Sequence, residues 1–463
     1  MLLELVLSSS EAEAYLIEID AVEPLGHVAR LLNDALAAGI CLLLAFGALA
    51  FGGVQEWAMC VLEIGAALLM AVWVARELFD DRLEILPSPL SVPVFLFAGL
   101  VVVQLLLHRT VYWYGTWQKA LLWAAYAMLG FLTTQCFRDR VSLKRLSIFF
   151  AVFGYLVALL AIAQEFAGNG KIYWVVADQS ASRFFGPYSN HAHYAGLMEM
   201  LVPFPLVLAM TDFLPGPMRG LYSFAAVIMG STIFLSKSLG GILAFAVELG
   251  VLAILSAGGR GTRRQLALLG SFCLLLISCL MLLGTNGLWE RLTQLQDPLD
   301  KTHAASRITI VEDSFKMVRQ RPLLGWGFGT FPVVYPSFRS FYTDLAVNAA
   351  HNDFVELLVE TGLLGFALMV AFIYLLYRTG VRSVKHWRHD PRASTALAAL
   401  VGCTGLVVHS FLDFNLEIPA NAALFFALAA IATGGATLRE PLHAPILSSA
   451  GKNKNDASLS KSL

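Results

Sequence analysis

The chain is dominated by a train of apolar stretches, each about as long as a lipid bilayer is thick. They fall at 30–50, 55–75, 88–107, 117–136, 146–166, 191–210, 220–237, 239–257, 265–284, 353–376, 394–412 and 418–437, twelve in all. A hydrocarbon core about 30 Å thick takes roughly 20 apolar residues per helix. Within it every backbone N–H and C=O must be bonded inside the protein, and for runs of this length the helix is the solution. The expected fold is therefore an all-α polytopic membrane protein of about twelve transmembrane helices. Composition agrees, with 57% hydrophobic and only 14% charged residues and a mean hydropathy of +0.68; soluble chains carry roughly 25% charge. Short turns separate some neighbouring spans, and the pairs Gly52-Gly53 and Gly240-Gly241 mark plausible breaks.

The remaining composition excludes several classes. A net charge of -1 gives no general attraction for nucleic acid. The six cysteines lie mostly in or beside apolar runs with no CxxC spacing, so they read as small buried hydrophobes and not as a disulfide framework or metal site. Residues 1–28 carry Glu11, Glu13, Glu18, Asp20 and Glu23, unlike a signal peptide, so insertion is expected to rely on the first span.

Loop charges set the orientation. Arg138, Arg140, Lys144 and Arg145 follow the fourth span, Arg260, Arg263 and Arg264 the eighth, and Arg378, Arg382, Lys385, Arg388 and Arg392 the tenth. With twelve spans these loops share one side, which the positive-inside rule makes the cytoplasm. The expected organisation is a cytoplasmic segment 1–28, nine spans in 29–284 with an outward loop 167–190, a large outward loop 285–352, three spans in 353–437, and a cytoplasmic polar tail 438–463 that carries Lys452, Lys454 and Lys461.

The large loop holds His303, Arg307, Lys316, Arg319, Arg321 and Arg339 and ends at His351-Asn352. Basic groups beside an outward bilayer surface point to an anionic substrate. Ile308, Val311, Phe315 and Val318 recur at helical spacing, with Ser306 as a candidate N-cap and Pro322 as the stop. This predicts an amphipathic helix, which either lies at the membrane surface with snorkelling arginines or turns Arg307 into a cavity. Gly325, Gly327 and Gly329 follow; with no βαβ context they are no dinucleotide fingerprint, and they suit backbone passing close to a ligand or helix. The second outward loop ends with Arg183-Phe184-Phe185-Gly186 and Asn190-His191-Ala192-His193. Two histidines spaced i,i+2 face different ways on a helix, so capping or packing is the default for Asn190 and His193. His409, Asp413, Asn415 and Glu417 cluster at the outward end of the eleventh span, where Asp413 could pair with an arginine, bind sugar hydroxyls or simply be loop polarity. Glu356, near the start of the tenth span, is a candidate cavity residue, and Trp113, Tyr114 and Trp117 read as an interfacial aromatic belt.

His351-Asn352, followed after nine residues by Gly362 and after two more by Gly365, resembles a motif of the bacterial O-antigen ligase and O-antigen polymerase superfamily, integral membrane glycosyltransferases. Arg307 onward through Arg321-Pro322-Leu323-Leu324-Gly325-Trp326-Gly327-Phe328-Gly329 is similar to the family's loop signature. Arg183-Phe184-Phe185-Gly186 with Asn190 is similar to its other arginine segment, and Ser236-Lys237-Ser238 with Gly240-Gly241 resembles its small-polar turn. There the family often has arginine after the second serine, where this chain has Leu239, which leaves open whether Lys237 substitutes.

The resemblance implies a GT-C-like fold with a periplasmic loop in the inner membrane. It also implies an undecaprenyl-diphosphate-linked glycan as donor and no metal or other cofactor. The acceptor would be lipid A-core for a ligase, a second lipid-linked repeat for a polymerase, or protein in related enzymes; ligase is the class adopted, with polymerase as the alternative. The leaving diphosphate gains negative charge, which guanidinium groups bind bidentately. Arg183 and Arg307 would do this, with Lys237, Asn190, Asn352, Arg321, Glu356 and Asp413 around the substrate. The attacking hydroxyl needs a base, and His351, kept neutral beside a helix N-terminus capped by Asn352 or Asp353, suits it; the structural alternative is that His351 only orders the loop. Direct displacement would invert the anomeric centre. A twelve-span transporter or flippase and a nonenzymatic scaffold are the rival classes; the former predicts charge at the bilayer midplane, whereas here charge gathers at the outward face.

Overall fold

The computed structural model describes residues 26–80, 85–177, 183–257, 262–283, 298–342 and 346–434. Nearly all of the acidic segment 1–28, the polar tail 438–463 with its lysines, Arg260 and the His303 side chain lie outside the described residues.

Every expected span falls on helix: α1 (His27–Leu49), α2 (Glu56–Phe79), α3 (Ser91–Leu106), α4 (Trp113–Cys136), α5 (Arg140–Ala167), α6 (His191–Leu201) running into α7 (Pro203–Met210), α8 (Gly216–Leu235), α9 (Leu239–Ser256), α10 (Thr262–Leu283), α12 (Asp353–Ser383), α13 (Pro391–His409) and α14 (Pro419–Gly434); α11 (Pro298–Gln320) lies in the large loop. Among the described residues nine helical stretches are long and apolar enough to cross a membrane, counting α6 and α7 as one. α3 and α14 are shorter apolar helices, and α4 has 24 residues with a more polar composition. The chain is thus an all-α, multi-pass membrane protein, with one two-residue hairpin in which Lys171 pairs with Ala177 and Ile172 with Val176. The centre is formed by the helices that are apolar on every side: α6–α7, α13 and α14 are almost wholly buried, and α14 packs on α4, α13 and α1.

The basic loops meet at one end of the bundle. Arg264 bonds to Asp212 at 2.7 Å, Asp212 N–H donates to Arg388 O at 2.9 Å, and Arg140 lies 3.5 Å from Asp390. The segments 183–190, 307–342, 346–351 and 410–417 gather at the other end. This is the segregation the positive-inside reading requires.

α11 differs from its sequence expectation. It begins at Pro298, so Ser306 and Arg307 lie within it and not at its start. Ile310, Asp313, Ser314 and Met317 face the interior, whereas Ile308 and Phe315 are exposed. The helix carries apolar residues on two faces, and the buried one is chosen by its partners, Phe331, Val334, Tyr335, Val355 and Val359. The break before α9 also differs: it falls at Lys237, whose φ is +62°, with Ser238 as N-cap. Gly240 and Gly241 sit in the first turn of the helix.

The glycine segment after Pro322 passes close to a helix. α12 is broken at Gly362 (φ +65°, ψ −166°), which frees backbone groups on both sides. Trp326 and Gly327 N–H donate to the carbonyls of Val359 and Glu360 at 3.0 and 2.9 Å, and Leu363 and Leu364 N–H donate to Pro322 and Leu323 at 2.8 and 3.3 Å. Gln104 of α3 closes the seam: it donates to Leu324 O and Glu360 O and accepts from Phe328 N–H. A Cβ on Gly325 (φ +68°) would strike the Glu360 backbone, and one on Gly362 would strike the Leu323 backbone. This accounts for glycine at positions 325 and 362.

Two outcomes test this architecture. Gly325→Ala and Gly362→Ala should each cost at least the 1–3 kcal/mol, roughly, of a strained left-handed residue and lower the melting temperature of the detergent-purified protein by at least about 2–4 °C. Gly99→Ala, with open space around its Cβ position, should leave it unchanged. Cysteines at Val333 and Arg263, labelled in intact cells with an impermeant maleimide, should react from opposite sides; reaction of both from one side would sink the two-ended arrangement.

Candidate functional site

The site is built where the large loop re-enters the bundle. Ala349 and Ala350 are buried, and His351 then adopts φ +52°, a left-handed conformation rare for a non-glycine residue. The turn is held on all sides. Ala350 N–H donates to Glu356 Oε2 at 2.7 Å. Asn352 caps α12, its Oδ1 accepting from the N–H groups of Phe354 and Val355, both at 3.1 Å. Its Nδ2 donates to Phe411 O at 3.0 Å, and Asp353 N–H donates to Ser410 O at 3.0 Å.

The 410–413 turn that receives these bonds also supplies an acid. Asp413 Oδ1 lies 3.3 Å from His351 Nδ1 and accepts from Phe414 N–H at 3.0 Å. Burial of Asp413 opposes its ionisation, but the His351 hydrogen bond and the nearby charges of His193, Arg307 and His351 outweigh it and hold the carboxyl below its usual range. The stability linked to this group is in place above the ordinary carboxylate pKa of about 4 and is lost as pH falls through the lower folded value. Asp413 is therefore a carboxylate at neutral pH. A carboxylate can only accept, so Nδ1 carries the hydrogen of this bond and Nε2 is the ring nitrogen that Asp413 does not engage. His351 Nε2 has no partner among the described residues, and the side chain is 30% exposed. Arg307 reaches over from α11 and donates to Leu412 O at 3.3 Å. Phe414 is held between two imidazoles, His351 at 5.0 Å and His193 of α6 at 4.7 Å, both edge-on. His193 follows directly from the Arg183 loop, so both outward loops border this turn.

The other sequence candidates are placed differently. Arg183 is paired with Glu165 of α5, and no hydrogen bond or ion pair joins it to Arg307 or His351. Asn190 caps α6, accepting from Ala192 N–H at 2.8 Å. Glu356 is buried beneath the loop, where it holds Ala350. Arg321 lies 4.3 Å from the centre of the Trp326 ring, the geometry of a cation–π contact. Lys237 is half-buried, and its ammonium bonds to no described residue. Trp113 and Trp117 stack at 5.9 Å and are exposed.

The sequence reading passed over Lys119, Glu165 and Glu199. Lys119 of α4 is paired with Glu417, and Glu360 accepts from Phe331 N–H at 3.0 Å. Together with Asp353 these line one end of a cavity of about 140 Å³ whose other walls are apolar, including Phe97, Trp123, Phe328, Phe372 and Phe426. Glu165 and Glu199 likewise find partners far away in sequence. The one available signal was an acid within an apolar run, which is costly unless paired. Among the described residues no group of three or more His, Cys, Asp or Glu is arranged to hold a metal ion.

Comparison with known proteins adds one finding. No curated protein matches the chain. The family model described as O-antigen ligase matches residues 224–370, which span the Lys237 turn, Arg307, the glycine segment, His351 and the Gly362 break but neither Arg183 nor Asp413. Over residues 224–370 the chain is similar to the O-antigen ligase family.

Proposed function

We propose that the protein is an inner-membrane glycosyltransferase of the O-antigen ligase type. It transfers a glycan from undecaprenyl diphosphate to an acceptor hydroxyl at the periplasmic face. The observation that carries this is His351 in a strained turn, with Nδ1 engaged by the buried Asp413 carboxylate, Nε2 open, and Arg307 beside it.

In this reading the acceptor oxygen attacks the anomeric carbon while the bond from that carbon to the diphosphate oxygen breaks. The electron pair leaves on the diphosphate. The acceptor proton passes to His351 Nε2, and Asp413 steadies the imidazolium that forms, as the acid of a catalytic triad does. Arg307 meets the diphosphate charge as it develops. Arg183 joins it by exchanging Glu165 for phosphate oxygens. The scheme uses guanidinium groups where other transferases use a metal ion. One direct displacement inverts the anomeric centre. A repeat-unit polymerase would share every step and differ in acceptor, lipid A-core being the ligase's and a second lipid-linked repeat the polymerase's.

Two outcomes are expected with purified protein and a defined lipid-diphosphate glycan. His351→Asn, a residue that tolerates the left-handed backbone, should leave donor binding nearly intact and lower turnover by about 10²–10⁴-fold; near-normal turnover would reduce His351 to a structural turn residue. Arg307→Lys and Arg183→Lys should each cost at least about 10-fold, because lysine keeps the charge and loses the planar fork. Full activity in both lysine variants would exclude the arginine pair as the diphosphate clamp.

A further inference from the structure

We infer that Glu199 and His409, a pair buried in the bundle, are positioning residues for the candidate site, acting through the 410–413 turn. The inference rests on the glycosyltransfer reading above, and its structural half can be measured without it.

His409 is the last residue of α13. Its Nδ1 lies 2.9 and 3.2 Å from the two carboxyl oxygens of Glu199 on α6, and both residues are about 1% exposed or less. A carboxylate and an imidazole withdrawn from water at a membrane helix cost several kcal/mol, roughly, unless each satisfies the other. The backbone shows what the pair holds. His409 O accepts the N–H groups of Leu412 and Asp413, at 2.8 and 3.0 Å, and so begins the turn. The next three carbonyls, of Ser410, Phe411 and Leu412, receive Asp353 N–H, Asn352 Nδ2 and Arg307 in succession. Asp413 follows and takes His351. Each of these partners is thus referred to the place where α13 ends, and the Glu199–His409 hydrogen bond ties that place to α6.

The seat for the pair is the glycine doublet of α9. A Cβ at Gly240 would meet His409 Nε2 at 2.8 Å, and one at Gly241 would meet Ala195 Cβ at 2.6 Å and Glu199 Oε1 at 3.0 Å. The doublet that the sequence marks as a break therefore makes room for both partners. Glu248, also on α9, is equally buried, but its carboxyl oxygens have no hydrogen-bond partner, so it anchors nothing in the turn.

Hydrogen exchange of the full-length protein in detergent tests the anchor directly. Glu199→Leu should raise exchange at amides 409–414 while the amides of α14 stay protected, and Gly240→Ala, which crowds His409 without removing it, should do so more weakly. Glu199→Gln keeps an acceptor for the imidazole and should restore protection; Glu248→Leu should match wild type. In the transfer assay Glu199→Leu should lower turnover at least about 10-fold, since a misplacement near 1 Å can cost about 10²-fold, and Glu199→Gln should recover to within about threefold. In an Asp413→Asn background Glu199→Leu should add little, because both act through one turn. Unchanged exchange at 409–414, failure of glutamine to rescue, or full additivity with Asp413→Asn would overturn the inference. Absence of transfer by the wild-type protein would overturn the glycosyltransfer reading and leave the exchange result to decide the anchor.

Discussion

A backbone polar group buried in an apolar bundle must find a partner, and the break in α12 obeys that constraint in an unusual way. Gly362 interrupts the helix, and the freed donors and acceptors are taken up by the 322–327 backbone. The large loop is therefore not an appendage. Its returning limb completes the hydrogen bonding of a transmembrane helix, and α11 packs on the same helix through Ile310 and Met317. Deleting the limb would leave buried carbonyls and N–H groups without partners. Loop and helix are one unit, and His351 stands eleven residues before the break.

The candidate site is arranged around a second backbone element, the 410–413 turn. Three successive carbonyls and one carboxylate bring together residues from α11, from the end of the loop and from α12. Backbone acceptors fix these groups more rigidly than side chains would, because they add no rotatable bonds of their own. The left-handed conformation of His351 can persist in such surroundings, since bonds on both sides of the residue over-determine it.

How much of this could be read in the chain depends on the kind of signal. The helical stretches were legible because bilayer thickness imposes a length on each of them. The basic loops were legible because their bias is compositional, and the structure gathers them at one end. The caps at Asn190 and Asn352 follow from local spacing alone. The buried face of α11 was not legible: periodicity finds an apolar stripe at 308, 311, 315 and 318, but the helix buries 310, 313, 314 and 317 because its partners lie on that side. Nor could the sequence show that Arg183 meets Glu165, that Glu199 meets His409 across 210 positions, or that Glu356 holds the loop backbone from below. Those pairings are tertiary, and no period encodes them.

On the proposed reading of Arg183 as a diphosphate ligand, its pairing with Glu165 has a consequence for selectivity. A guanidinium already engaged by a carboxylate, on a half-exposed surface, is not an open anion trap. Chloride or a single carboxylate would have to replace a tethered anion with a free one, and would lose on entropy while gaining little in charge. A diphosphate can offer several oxygens at once and more than one negative charge. On that reading the internal carboxylate would act as a resident competitor, setting a threshold that weak anions fail to cross. It also keeps the arginine extended and partnered in the intervals when nothing occupies the site.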